Sequence, residues 1–340
     1  MPKIAKSILR RLALFILMLW IVSVVIFLAL RVLPGDVAAV VAGTNATRAQ
    51  YRALRASLGV DKPLIVQYLS WMGNVLSGNL GVSTLTGQSM GARIASRALL
   101  TFPLIVLSMI FALVCGITSA VYSLTSARAW VRQSLRAISV ALGAVPALWA
   151  GLLLIMLFGK GSGLIGILPT QGFARSPLES WSSLWTACAS LILPALSVGI
   201  ITAAQIMRYT RSALVEVADS DYVTWSMAAG MTRAQALRTT GLRLAAPQIL
   251  SVSGITFATM VTGVLTVESL FALPGLATLL LSDVSQRDLP AVQTELLLLA
   301  AFFLLVGFVV DVVGQMIDPR LRSTGDDVYR SREVVEEEAQ

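Results

Sequence analysis

LALFILMLWIVSVVIFLAL, residues Leu12–Leu30, is a run of 19 residues without a charge. At 1.5 Å of rise per helical residue it reaches about 28 Å, close to the ~30 Å of bilayer hydrocarbon. Lys3, Lys6, Arg10 and Arg11 precede it, a basic flank that would also suit a cleaved secretory signal. Signal h-regions run about 7–15 residues, so the length favours a retained first membrane helix.

Working outward, five further stretches have the length and apolarity of a span: Ala98–Leu124, Ala137–Gly159, Trp181–Met207, Leu244–Val267 and Leu296–Val310. The last resumes after Asp311 as far as Ile317. Phe271–Ser282 is too short to cross, and Pro274-Gly275 breaks it, so a short interfacial or re-entrant segment is expected there. Composition agrees. The chain is 56% hydrophobic and only 13% charged, with a mean hydropathy of +0.80, against roughly 25% charged residues in soluble domains. The fold class expected is an all-α membrane protein with six transmembrane helices.

The net charge of +8 points to basic residues retained on the cytoplasmic side rather than to nucleic acid. Basic residues gather before the first span, at Arg128, Arg132 and Arg136, between Arg208 and Arg243, and in the tail from Arg320. Lys160, Arg175 and Arg287 lie on the other face. The distribution predicts both termini in the cytoplasm of a multi-pass plasma or inner membrane protein. The Arg31–Arg97 connection is also basic, but it exceeds the ~60 residues over which the rule operates. The chain has no histidine, which removes a Ser-His or Cys-His nucleophile pair and a His-ligated metal. Cys115 and Cys188 sit in apolar runs, so neither a disulfide framework nor a metal cluster is expected.

The 31–97 segment is expected to be helical. Thr47-Arg48-Ala49-Gln50 has a capping-box pattern ending near Leu58-Gly59, and Asp61-Lys62-Pro63 starts a second helix that Gly78 ends. Leu64, Tyr68, Trp71, Met72 and Val75 form its apolar stripe, which would pack on the membrane helices or receive a partner. After Arg322 the tail turns acidic and polar, the composition of a disordered segment.

DSDYVTWSMAAGMTRAQALRTTGLRLAAP, Asp219–Pro247, lies between the fourth and fifth spans. Its pattern predicts two short helices around a turn. Asp219, Ser220 or Asp221 caps the first, Gly230 takes a left-handed C′ position, and Thr232-Arg233-Ala234-Gln235 opens the second. Tyr222, Trp225 and Met227 would then face water beside acids, which suits docking onto a soluble partner. The alternative is an amphipathic element on the lipid surface, which Asp219 and Asp221 oppose.

Asp221, Tyr222, Val223, Ala228 and Gly230 resemble the coupling (EAA) loop of binding-protein-dependent ABC importer permeases, although the usual basic residues after Tyr-Val are replaced here, with Thr224 and Met227 in the stretch. The likeness runs along the chain: Leu33-Pro34-Gly35-Asp36; Leu58 to Pro63 with Gln67, Tyr68 and Trp71; Gly78-Asn79-Leu80-Gly81; Glu268 to Leu276; Arg287-Asp288-Leu289-Pro290 with Gln293; and Asp311 with Asp318-Pro319-Arg320. Together these motifs resemble the B-type permeases of oligopeptide, dipeptide and nickel importers. The resemblance implies a type I ABC importer permease fold. Its parts would be residues 1–30 as N-terminus and first helix, 31–97 as an extracytoplasmic segment, 98–318 as the transmembrane domain with the coupling loop 219–247, and 319–340 as the tail. It implies that Asp221, Tyr222, Val223, Trp225, Ala228, Ala229 and Gly230 meet an ATPase. It also implies a second, C-type permease, two ATP-binding subunits and an extracytoplasmic substrate-binding protein as partners. ATP and magnesium would sit on those partners, with no catalytic residue, cofactor or metal in this chain, and the cargo would be di- or oligopeptides, nickel complexes or glutathione.

Gly161–Gly166 matches G-x-G-x-x-G, but it follows a membrane helix rather than a strand and does not form a nucleotide site. Ser139, Gly143, Ala147 and Gly151 recur every fourth residue on the third span and would let another helix approach, while Pro146 would kink it. Glu268, Glu295 and Asp311 are costly against lipid, so each either lines the pore or locks helix ends. A secondary transporter, the main rival, would need charged or broken helices near the midplane and related inverted halves.

Overall fold

The computed structural model describes residues 2–32, 47–57, 61–161, 163–173 and 181–317. The Leu33–Asp36, Leu58–Val60 and Asp318–Arg320 motifs and the acidic tail lie outside them. The elements are α1 (Pro2–Val32), α2 (Arg48–Ser57), α3 (Leu64–Leu76), α4 (Met90–Thr125), α5 (Ala129–Gly143), α6 (Ala147–Phe158), α7 (Trp181–Val217), α8 (Asp221–Ala228), α9 (Arg233–Ala236), α10 (Leu242–Leu270), α11 (Leu276–Ser285) and α12 (Leu289–Ile317). A π turn, Leu237–Gly241, joins α9 to α10. Among the described residues the only β pairings are two isolated bridges.

Among the described residues five helices are long and apolar enough to cross a membrane: Ile8–Val32, Met90–Thr125, Trp185–Val217, Arg233–Leu270 and Leu289–Gly314. The third expected span, Ala137–Gly159, is not one helix. It divides at Ala144–Pro146 into α5 and α6, which bend by 111°. Pro146 removes an amide and restricts Val145 to extended backbone, so the break exceeds the kink that the sequence suggested. The small-residue stripe is therefore split between two helices. Gly143 abuts Arg208 of α7, and an added Cβ there would collide with the guanidinium. Arg208 in turn donates to the Ser139 carbonyl, one turn before the end of α5, at 2.8 Å.

The helix in which α4 crosses begins at Met90, before the expected edge at Ala98. At the core, α7 is surrounded by α4, α5, α6 and α10. Leu100, Leu104, Leu193, Val198, Val264, Phe271 and Leu273 are buried between them. Lipid is as apolar as these side chains, so close packing and interhelical hydrogen bonds hold such a bundle, each bond worth about 0.6 kcal/mol on average. On the flank, α1 lies along α12, joined by the Phe15–Phe308 ring contact and an Arg11–Asp311 ion pair at 3.0 Å.

At the end where α4 begins, the 83–88 loop is fixed over α11 and α12. Ser83 Oγ and Thr84 Oγ1 donate to buried Asp288 at 2.5 and 2.8 Å, and Arg93 pairs with buried Asp283 at 2.8 Å. The α2 helix starts directly after Thr47, and α3 follows Pro63 and stops before Gly78, whose φ is +82°. Tyr68 and Trp71 of α3 pack on Phe27 of α1, so part of the predicted stripe meets a membrane helix. Asp61 pairs with Arg55 of α2 rather than serving the start of α3.

Candidate functional site

The connection from α7 to α10 folds as two short helices around a turn, as the sequence pattern predicts, but no side chain caps the first of them: the Ser220 hydroxyl donates to the Val217 carbonyl at 2.7 Å instead. Ser220 precedes α8, and Gly230 follows it with φ +94°, a left-handed value that favours glycine. Thr232 and Gln235 then form a reciprocal capping box that opens α9.

Val223 anchors the hairpin. It is fully buried against Ala218, Ala236 and Leu237. Ser226 and Thr240 share a hydroxyl hydrogen bond at 2.9 Å, and Arg238 reaches Thr125 at the end of α4 at 3.3 Å. The Arg233–Asp219 pair is exposed on both sides at 3.5 Å, a geometry that contributes little. Outward, Trp225 is 75% and Tyr222 57% exposed, with Met227 and Met231 beside them. Asp221, Ala228, Ala229 and Gly230 are also exposed. Six of the seven expected contact residues thus share a presented surface. Val223 does not, and its part is to seat the helix.

This surface carries two exposed aromatics, Tyr222 and Trp225, with Asp221 beside them. It suits a cleft on another protein rather than a small molecule. Among the described residues no group of three His, Cys, Asp or Glu side chains is placed to hold a metal.

The three acids expected at or within the spans fall elsewhere. Glu268 is completely buried, accepts from Thr101 Oγ1 at 2.6 Å and from the Ala277 amide at 2.9 Å, and Thr101 accepts from the Leu276 amide at 2.9 Å. The carboxylate therefore ties α4 and the end of α10 to the first turn of α11, where free amides favour an anion. That geometry is a lock and presents no surface to a pore. Asp311 pairs with Arg11 on the α1–α12 flank. Glu295 is buried with neither oxygen partnered. Sequence reading missed the roles of Arg208, Thr101, Asp283 and Asp288. Asp288 lies in the Arg287–Pro290 motif, but a motif names no contact, and Arg208 counted only as one of the basic residues that follow the fourth span.

Residues 112–323 match the family described as the binding-protein-dependent transport system inner membrane component, and residues 4–93 match the N-terminal region of such membrane components. The chain belongs to this permease family. It is a multi-pass membrane subunit of an ABC transport system, and the family as a whole works with ATPases and substrate-binding proteins. One relative, a "probable peptide ABC transporter permease protein" of Sinorhizobium fredii, is 35% identical over 93% of this chain and 98% of its own length. The glutathione transport system permease protein of Escherichia coli O6:H1 is 34% identical over the same shares.

Proposed function

We propose that the chain forms half of the translocation pore of an ATP-driven importer, driven through α8 by a separate ATPase. The observation that carries this is the exposed Tyr222–Trp225 pair, one turn apart on a helix whose one buried residue, Val223, seats it against the roots of α7 and α10. α9, the π turn and α10 run on as one 38-residue helix, Arg233–Leu270, so a displacement of α8 is delivered directly to the core helix that carries Glu268 in its last turn. In this reading ATP closes two ATPases, their clefts draw the α8 helices of two related permeases together, and the bundle opens toward a substrate-binding protein. ATP and magnesium stay on those partners, and this chain carries no catalytic residue. Both chain termini and the hairpin face the cytoplasm, as the basic residues indicate.

The cargo that the relatives favour is a short peptide, from dipeptides to oligopeptides with glutathione included; nickel complexes are the second reading. The test is Trp225→Ala in the assembled transporter. Truncating a central aromatic anchor costs about 2 kcal/mol, roughly thirtyfold in docking affinity. ATP-dependent peptide uptake should fall accordingly while the chain still inserts in the membrane. Uptake at the wild-type rate would remove α8 as the coupling element.

A further inference from the structure

At the end of α4 remote from α8, a cavity of about 250 Å³ opens between α1, α3, the loop after α3 and the start of α12. Arg31, Lys62, Trp71, Asn74, Asn79 and Gln293 line it, and no carboxylate among the described residues does. Gln293 is only 7% exposed, and neither its Nε2 nor the Trp71 Nε1 has a hydrogen-bond partner. Both nitrogens are donors. A buried donor without an acceptor costs about 1–3 kcal/mol, so two of them beside two cations specify an anionic acceptor.

Depth in the bilayer indicates which anion. The Ile8–Val32 span is 25 residues, about 37 Å, and therefore exceeds ~30 Å of hydrocarbon at its ends. Arg31, in the last turn, lies at headgroup level, with its guanidinium over Phe27 at 5.1 Å. Ser23 lies about 12 Å deeper, and it hydrogen-bonds Tyr68 of α3 at 2.8 Å. The α3 helix is thus held alongside the upper part of a membrane span rather than above it. Its sequence, LIVQYLSWMGNVL, has no charge, and Leu64, Ile65 and Leu69 are exposed. That exposed face continues the lipid-facing flank of α1.

We propose that the cavity binds the phosphate of a phospholipid from the leaflet at the Arg31 end of α1, with the exposed face of α3 against its acyl chains. Arg31 offers the planar fork that matches phosphate oxygens and Lys62 a point charge; Trp71 and Gln293 supply neutral donors. The inference rests on α1 crossing the membrane and is independent of coupling through α8.

Native mass spectrometry of the complete transporter, stripped of lipid and titrated with phosphatidylglycerol, tests it. The wild type and a control, Lys160→Ala, should hold one tightly bound lipid. Arg31→Ala combined with Lys62→Ala should weaken that binding by about tenfold or more. Trp71→Phe keeps the ring packed on Phe27 and removes only the N–H, so it should weaken binding with little change in thermal stability, and it reports even if the double variant misfolds. Lipid retention unchanged in Trp71→Phe and in a folded double variant overturns the site. Inorganic phosphate or a peptide should not displace the lipid; displacement by either makes the occupant a soluble anion and overturns the lipid assignment.

Discussion

Gly230 shows how much a single residue can specify. Its φ is +94°, and nothing lies within 4 Å of where a Cβ would be, so steric room is ample and only backbone strain argues against a side chain. A non-glycine residue in the left-handed region costs roughly 1–2 kcal/mol, more when β-branched, whereas asparagine tolerates it. Gly230→Val should therefore depress uptake in proteoliposomes without loss of membrane insertion, and Gly230→Asn should largely retain it. Wild-type uptake by Gly230→Val would show that the turn does not need this geometry. Glu268 is the opposite case, since its surroundings leave no freedom. Replacing it with alanine strands the Thr101 hydroxyl and the Ala277 amide, each at about 1–3 kcal/mol. The thermal midpoint in detergent should fall clearly, and an unchanged midpoint would mean that the carboxylate does not hold α4, α10 and α11 together.

Among the elements, the α5–α6 elbow separates what the sequence discloses from what it leaves open. The Asp221–Gly230 hairpin was legible because its signals are local: a left-handed glycine and a capping box each act within four residues. Apolarity over Ala137–Gly159 revealed that the segment is membrane-embedded, and Pro146 marked a break, but hydropathy has no direction, and the 111° bend is met by a contact from a residue 65 positions away from Gly143. Arg208 bonds the Ser139 carbonyl and rests against Gly143, where only a missing Cβ leaves space. Likewise, the position of Glu268 at the end of its span favoured a lock over a pore, but the partner that makes the lock, Thr101, is 167 residues distant, which no spacing could reveal. Arg208→Met and Gly143→Ala should each lower thermal stability by disturbing one contact. Their effects should be non-additive by 0.5 kcal/mol or more, as for groups that touch, with ~0.5–3 kcal/mol the usual range. Simple additivity within about 0.3 kcal/mol would mean that the guanidinium does not hold the elbow.

For the whole molecule, burial is uneven in a way that locates its neighbours. The most apolar window of α7 is 67% buried within the chain, that of α1 11% and that of α12 only 6%, so α7 is the core and α12 and α1 lie on the outside of the chain, toward lipid or a partner subunit. The α4 helix sets the polarity of the molecule. One continuous helix of 36 residues runs from Met90, beside the 83–88 loop, to Thr125, which Arg238 of the hairpin touches. At about 54 Å it puts the loop and the hairpin on opposite sides of any bilayer that it crosses. With Cys115 and Cys188 replaced by serine, Leu85→Cys and Trp225→Cys become reporters at exposed sites. A membrane-impermeant maleimide should label Leu85→Cys in intact cells and Trp225→Cys only after permeabilisation. Labelling of both from one side would contradict the path of α4 itself. A reversed pattern would leave the fold standing but place Trp225 away from cytoplasmic ATP, and a hairpin on that side has no motor to grip.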